Sequence, residues 1–569
     1  MGENMPTIDL SMNDYENLLK LIGRKIDIED LEEIIFLLKG EMETYEENGE
    51  KKISIEIPPD RIDMLSIGGL ARSIKGYLNI ETGKPKYSTI YGDIEVKVNQ
   101  NIIPIRPYIA VAILHNVKLD EDLLKHIMTF QEKLHGTWCR NRRKASIGIY
   151  DFNKVKPPLY YEGVEPNKIR FIPLDTSIEM NGYEILSKTP QGKEYGHLLR
   201  DEKLYPILRD SEGKVLSMPP IINSEDTRVT VDTRDIVIDV TGLDKYIVNS
   251  ILNVLAYNFA EHGWIIERIK IVTPNGVEYT PQKRGGKLSL DKDYVNRITG
   301  LNLSENKIAH LLRKMRYEVK INGDKIDVEI PPYRLDILHP VDLIEDVAIA
   351  YGFNKIVPEL PNISTIGHEL DIYKVVRKIR DIMVGLGFQE VLNYIMSNKD
   401  LLFIKMNKDI EEIVEVMNPK SAQYTVLRNS IIPGLLNFLS KNKHVEYPQK
   451  IFEIGEIVYV DSKAETKTVN HISLGFAITN FSLSLEDGLA VVYALFKNLG
   501  IEKFKLISLK DDPSFIKGRV GKIVVNGREV GIIGEVNPMV LENFELENPT
   551  IACEIDIEKI GKLFRSFYL

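Results

Sequence analysis

Apolar positions change period several times along this chain, and each change predicts a different element. β-Branched runs at YIAVAILHNV (108–117), KASIGIYDF (144–152) and DIVIDVTG (235–242), set apart by Pro- and Gly-containing loops, predict strands. Further along, DIYKVVRKIRDIMVGLGF (371–388) places Ile372, Val375, Val376, Ile379 and Met383 on one helical face and stops at Gly385 and Gly387. Strand patterns return at QKIFEIGEIVYV (449–460), HISLGFAIT (471–479) and TIACEIDI (550–557), with a hairpin turn expected at Asn526-Gly527.

One pattern is written twice. IGRKIDIEDLEEIIFLLK (22–39) parallels ITGLNLSENKIAHLLRKM (298–315), and KKISIEIPPDRIDMLS (51–66) parallels DKIDVEIPPYRLDILH (324–339). Asp27 and Ser304 stand where a helix would be capped. Each copy predicts a short helix, a capped helix, a strand, a Pro-Pro turn and a second helix. Two copies are too few for a solenoid. The expected organisation is α+β and multidomain: a first small module at 1–85, a strand-rich domain at 86–272, the second module at 273–357, and an α+β domain with an antiparallel sheet at 358–569.

Composition narrows the class. With 569 residues and 43% hydrophobic content, the chain can build several cores. It shows neither a membrane-length apolar run of ~18 residues nor an N-terminal signal pattern, so a soluble cytoplasmic protein without membrane contact is expected. The two cysteines, Cys139 and Cys553, exclude a disulfide framework and a CxxC metal site. A net charge of −10 argues against a nucleic-acid coat protein.

The second copy of the repeat carries Asp336, Asp342, Glu345 and Asp346 within eleven residues. The last three, at i, i+3 and i+4, share a helical face, and Asp336 arrives from the preceding turn. Magnesium is a natural counter-ion for such a set. A solvated acidic face at a helix start is the plain alternative. The first copy has Gly69, Arg72 and Ser73 at the matching positions, so the module folds without the acids. The most basic stretch, KLHGTWCRNRRKASIGIYD (133–151), sets Arg140, Arg142, Arg143 and Lys144 beside Trp138. It would grip RNA phosphates, or form a solvated loop or a subunit contact.

The block PPYRLDILHPVDLIEDVAIAYGFNKI, the repeat and the domain order resemble the beta subunits of phenylalanine–tRNA ligases of the archaeal and eukaryotic cytosolic type. That resemblance implies a magnesium ion on Asp336, Asp342, Glu345 and Asp346 at a contact with an alpha subunit. It also implies an assembly of two alpha and two beta chains, tRNA specific for phenylalanine as partner, and ATP used by the assembled complex. The C-terminal region resembles the class II synthetase fold without its catalytic motifs. In FEIGEIVYVD (452–461), Tyr459 stands where the class places an ATP-binding Arg and Asp461 where it places a Glu. A phenol cannot clamp a phosphate as a guanidinium does.

The resemblance makes 86–272 an editing domain that hydrolyses tRNA mischarged with tyrosine. Asp239 and Thr241 alternate on one face of a strand and are its expected catalytic pair. Leu208, Ser217 and Asn223 are expected to line the same pocket. The residues that read the tyrosine hydroxyl stay unassigned, Glu225 and Asp226 being near only in sequence. No Ser-His-Asp or Cys-His arrangement is evident, which favours hydrolysis by a positioned water. A non-catalytic tRNA-binding scaffold is the alternative.

Overall fold

The computed structural model describes residues 6–283 and 285–564, which divide after Leu360 into two compact units. In the first unit both repeat copies build the same object, a three-stranded antiparallel sheet packed against three helices. Copy one orders its strands Thr7–Ser11, Glu50–Glu56, Glu41–Glu47, and copy two Lys287–Asp291, Lys325–Glu329, Glu318–Asn322. Leu10 pairs with Ile53 in one, Leu290 with Ile326 in the other.

Sequence reasoning expected one strand per copy. It missed the short first strand and the hairpin, although ENGE (47–50) holds the signal: Asn48 and Gly49 both have positive φ, as a two-residue primed turn requires. Ser304 caps its helix through Lys307 N, whereas Asp27 occupies its cap position without a side-chain bond.

Between the copies runs a ten-stranded sheet. The Ile236–Gly242 strand lies antiparallel between Tyr108–His115 and Ala145–Asp151, buried along its whole length. Its Ile236, Ile238 and Val240 pack with the Lys245–Ala260 helix. Val237 turns to the opposite face, among Val111, Tyr150 and Leu208. Burial on both faces explains the unbroken apolar character that made this strand legible. It also fixes register, because a one-residue slip would exchange the faces.

The second unit is a seven-stranded sheet, antiparallel apart from its short first pair. The Asp371–Gly385 and Leu485–Asn498 helices cover one face through Val376, Met383, Val492 and Phe496. The Ile432–Lys441 helix covers the other through Leu435 and Leu439. Asn526 and Gly527 adopt the positive φ values of the expected hairpin turn. Among the described residues no helix is long and apolar enough to cross a membrane.

Candidate functional site

Register brings three of the five expected editing residues, Leu208, Ser217 and Asn223, onto neighbouring positions of one sheet. Leu208 pairs with Ser217, and Ser217 pairs in turn with Asn223. Asp239 reaches the same row through a residue that sequence reasoning missed. The Tyr150 hydroxyl donates to Asp239 Oδ1, and Ser217 Oγ lies 2.8 Å from that phenol oxygen. Gly148, paired directly with Asp239, leaves the space they need, since a Cβ there would collide with both the phenol and the carboxylate.

Thr241 sits two residues along the strand, in a second cluster. Its Oγ1 accepts from Arg106 Nε at 3.0 Å and lies 3.0 Å from Ser146 Oγ. Arg106 Nη2 also donates to the Thr241 carbonyl at 2.8 Å and to Ser146 Oγ at 3.1 Å. Arg106 is itself buried. It comes from a loop before the 108–115 strand, where nothing local announces a role. Tyr150 shares the inward face of KASIGIYDF with Ser146 and Gly148, but its partner Asp239 is visible only once register is known.

Electrostatics set the row apart. Burial pushes the Asp239 carboxyl up to about 7, against the opposing pull of the Tyr150 donor and the Arg106 charge. Burial likewise raises the Tyr150 phenol, so it stays a neutral donor. A carboxyl poised near neutrality can take and return a proton. Leu208, Ser217, Asp239 and Thr241 are all buried, and Asn223 is half-buried. Where a pocket was expected, these residues form a closed polar seam in this structure.

The four carboxylates of the second repeat are placed differently from the magnesium expectation. Asp336 receives Arg334 Nε at 2.9 Å and Nη2 at 2.6 Å, and Asp346 receives Nη2 at 2.7 Å as well as the Tyr317 hydroxyl. Asp342 caps the Pro340–Tyr351 helix by accepting from Leu338 N and His339 N at 2.8 and 2.7 Å. Glu345 is exposed and takes Lys39 of the first repeat at 2.8 Å. Burial acts to raise Asp336, but Arg334 outweighs it and holds that carboxyl below its usual range. Burial raises Asp346 despite the same guanidinium. Among the described residues no three acidic, His or Cys side chains gather to hold a metal. As placed, the four do not fit a magnesium ion bound by this chain alone, because Arg334 already serves as counter-ion to two and a helix terminus uses a third.

The basic stretch also divides. Arg142 turns inward, donating to Ile221 O and Glu132 at 2.9 Å each and stacking on Tyr195. It is unavailable to phosphate, while Arg140 and Arg143 are exposed and Lys144 is half-buried. In the second unit Tyr459 is partly exposed with its ring edge-on to His471. The neighbouring arginine, Arg428, is buried and committed to Glu453 at 2.6 Å.

Comparison with known proteins decides the family. The chain is 43% identical over 554 residues to the phenylalanine–tRNA ligase beta subunit of Pyrococcus horikoshii, covering 97% of this chain and 99% of that one. This chain belongs to the phenylalanine–tRNA ligase beta-subunit family. The Methanocaldococcus jannaschii beta subunit is 42% identical, covering 97% of this chain and all of its own length. Residues 356–557 match the model for the phenylalanyl-tRNA synthetase beta chain CLM domain, and 288–353 the tRNA synthetase B5 domain. A crystal structure of an N-terminal fragment of the P. horikoshii phenylalanyl-tRNA synthetase beta subunit superposes with a TM-score of 0.59 at 42% identity. It covers 61% of this chain and 99% of the fragment. Within this beta-subunit family member, the acidic row falls inside the B5 span, whereas the Asp239 seam lies outside both matched spans.

Proposed function

We propose that this chain edits: it removes tyrosine from tRNA specific for phenylalanine, within a complex whose alpha subunit attaches phenylalanine using ATP. The observation that carries the reading is the buried Asp239 carboxyl, held near neutrality in a row with Tyr150 and Ser217. Such a site answers a physical need. A pocket shaped for phenylalanine rejects an added hydroxyl poorly, apolar discrimination being worth only ~1–3 kcal/mol. A second site that hydrogen-bonds the hydroxyl discriminates better, because phenylalanine leaves its polar groups unpaired.

In this reading Asp239 accepts a proton from a water attacking the ester carbonyl and returns it to the departing ribose oxygen. Tyr150 holds the carboxylate in place. Arg106, permanently charged and bonded to Thr241 Oγ1, puts positive potential beneath that hydroxyl, where negative charge develops on the ester oxygen. The closed seam opens when the tRNA end enters. Segment 86–272 is then the editing domain, the 358–569 segment packs with the alpha subunit, and two alpha and two beta chains assemble in the cytoplasm. A magnesium ion shared with the alpha subunit requires Arg334 to withdraw from Asp336 and Asp346.

The test is deacylation of tyrosyl-tRNA specific for phenylalanine by the assembled complex, with the phenylalanyl ester as control. Asp239→Ala is expected to lose about 10²–10³-fold in rate, with aminoacylation retained. Undiminished hydrolysis in that variant moves the site elsewhere, and none in the natural complex leaves the chain a scaffold.

A further inference from the structure

The two repeat copies meet over a void that nothing in the family reading employs. Arg61, Asp63, Arg72 and Ser73 line it from the first copy, and Lys314, Met315, Arg316, Tyr333 and Arg334 from the second. Four of these are arginines, each at least nine-tenths buried: Arg61, Arg72, Arg316 and Arg334. Arg61 and Arg334 are held by Asp63 and Asp336 in matching two-pronged pairs through Nε and Nη2. The other two are incomplete. Arg72 gives Nη2 to Asn258 Oδ1 at 2.8 Å and to Asp63, and Nη1 to the Tyr87 hydroxyl at 3.5 Å with Glu261 3.7 Å away, and its guanidinium carbon lies 3.6 Å from the centre of the Tyr333 ring. Its Nε has no partner. Arg316 gives Nη2 to Glu81 at 3.0 Å, leaving Nε and Nη1 without partners. The Tyr333 hydroxyl is buried and unpartnered as well.

Four polar atoms without a partner belong to residues that line this one void, and buried donors are rarely left unsatisfied. The void measures about 10 Å³, room for one atom-sized occupant and too little for phosphate or sulfate. Water fits by size but not by hydrogen bonding. It accepts at most two bonds, so even with one of its own O–H groups given to the Tyr333 oxygen it leaves at least one of the three guanidinium nitrogens without an acceptor. Asp63 also borders the void, but both its oxygens already receive guanidinium donors. We propose that the void between the repeat copies binds a single monatomic anion of the chloride class, held by Arg72, Arg316 and Tyr333. The anion joins the two copies, one arginine coming from the first and the other, with the tyrosine, from the second. The sequence foreshadows this only in part: the repeat puts Arg72 opposite Glu345, so an acid in one copy is exchanged for a base in the other.

Bromide in place of chloride tests the site directly. Crystals of the full chain grown in bromide should show an anomalous peak within hydrogen-bonding reach of Arg72 Nε, Arg316 Nε and Tyr333 Oη. A void that refines as water or stays empty, with bromide present in the crystal, overturns the proposal. In solution, at fixed ionic strength, exchanging gluconate for chloride should raise the Tm of the chain saturably, by about 2 °C or more. The rise should vanish in Arg316→Met and shrink in Tyr333→Phe, which keeps the ring under Arg72 and serves if the arginine variant does not fold. Equal Tm values in the two salts for the natural chain count against the site.

Discussion

At Asp239, stability and activity should pull in opposite directions with pH. Its carboxyl is raised from 3.8 to about 7, so between those values the folded chain holds a proton that the unfolded chain has released. Stability therefore falls as pH rises through that window, and above about 7 the full penalty, at most about 4 kcal/mol, is present. Asp239→Asn should accordingly raise Tm at pH 8 and leave it nearly unchanged at pH 4, as calorimetry would show. Deacylation needs the ionised form, so its rate should climb through pH 7 and level off, and the asparagine variant should lose that limb. Gly148→Ala probes the same seam by shape. Its Cβ meets Tyr150 and Asp239, and overpacking of this kind costs about 1–3 kcal/mol. Deacylation should collapse while aminoacylation by the complex persists, and retained deacylation would mean the seam is not the site. That Asp239 and Thr241 share one face of a strand was legible in sequence because strand alternation is a local rule. Tyr150 and Arg106 were not, because one depends on register and the other on a loop whose direction no local pattern encodes.

Two copies of one element, differently charged, show how far a helical wheel reaches. The i, i+3, i+4 spacing put three carboxylates on one face, and the Pro340–Tyr351 helix is there. Spacing does not say which acid a helix terminus will claim. Asp342 falls at the third helical position and closes a capping box with His339, and Arg334, two residues before Asp336, turns back to neutralise two acids. An Asp342→Ala change should therefore cost about 1 kcal/mol through the lost cap, read from thermal unfolding with or without chelator. Removing divalent ions should leave the Tm of the isolated chain unchanged. A chelator-sensitive Tm that Asp342→Ala abolishes would restore the four-carboxylate magnesium site. The short strands of each module escaped notice for a related reason: TIDLS and KLSLD (7–11 and 287–291) are five residues long and gain their strand character from pairing with the central strand.

Across the whole molecule, the repeat was visible as matching sequence, and the strand-rich middle and the antiparallel second unit as changes of hydrophobic period, most clearly where a strand such as Ile236–Gly242 is buried on both faces. What the second unit does is a matter of charge placement on its sheet. A nucleotide-activating site needs a guanidinium free to take an α-phosphate in two-pronged fashion. Position 459 offers a phenol against His471, and Arg428 is locked to Glu453 and the Glu456 carbonyl. Freeing Arg428 would strand a buried carboxylate, which is destabilising by about 3–5 kcal/mol, so the sheet cannot lend that arginine to ATP without loosening itself. Phenylalanine-dependent exchange of pyrophosphate into ATP should stay at background for this chain alone and appear on adding the alpha subunit. Tyr459→Arg by itself should not restore it, since one guanidinium at the strand end supplies neither the acid partner nor an amino-acid pocket. Exchange above background by the isolated natural chain would mean that this sheet activates amino acid after all.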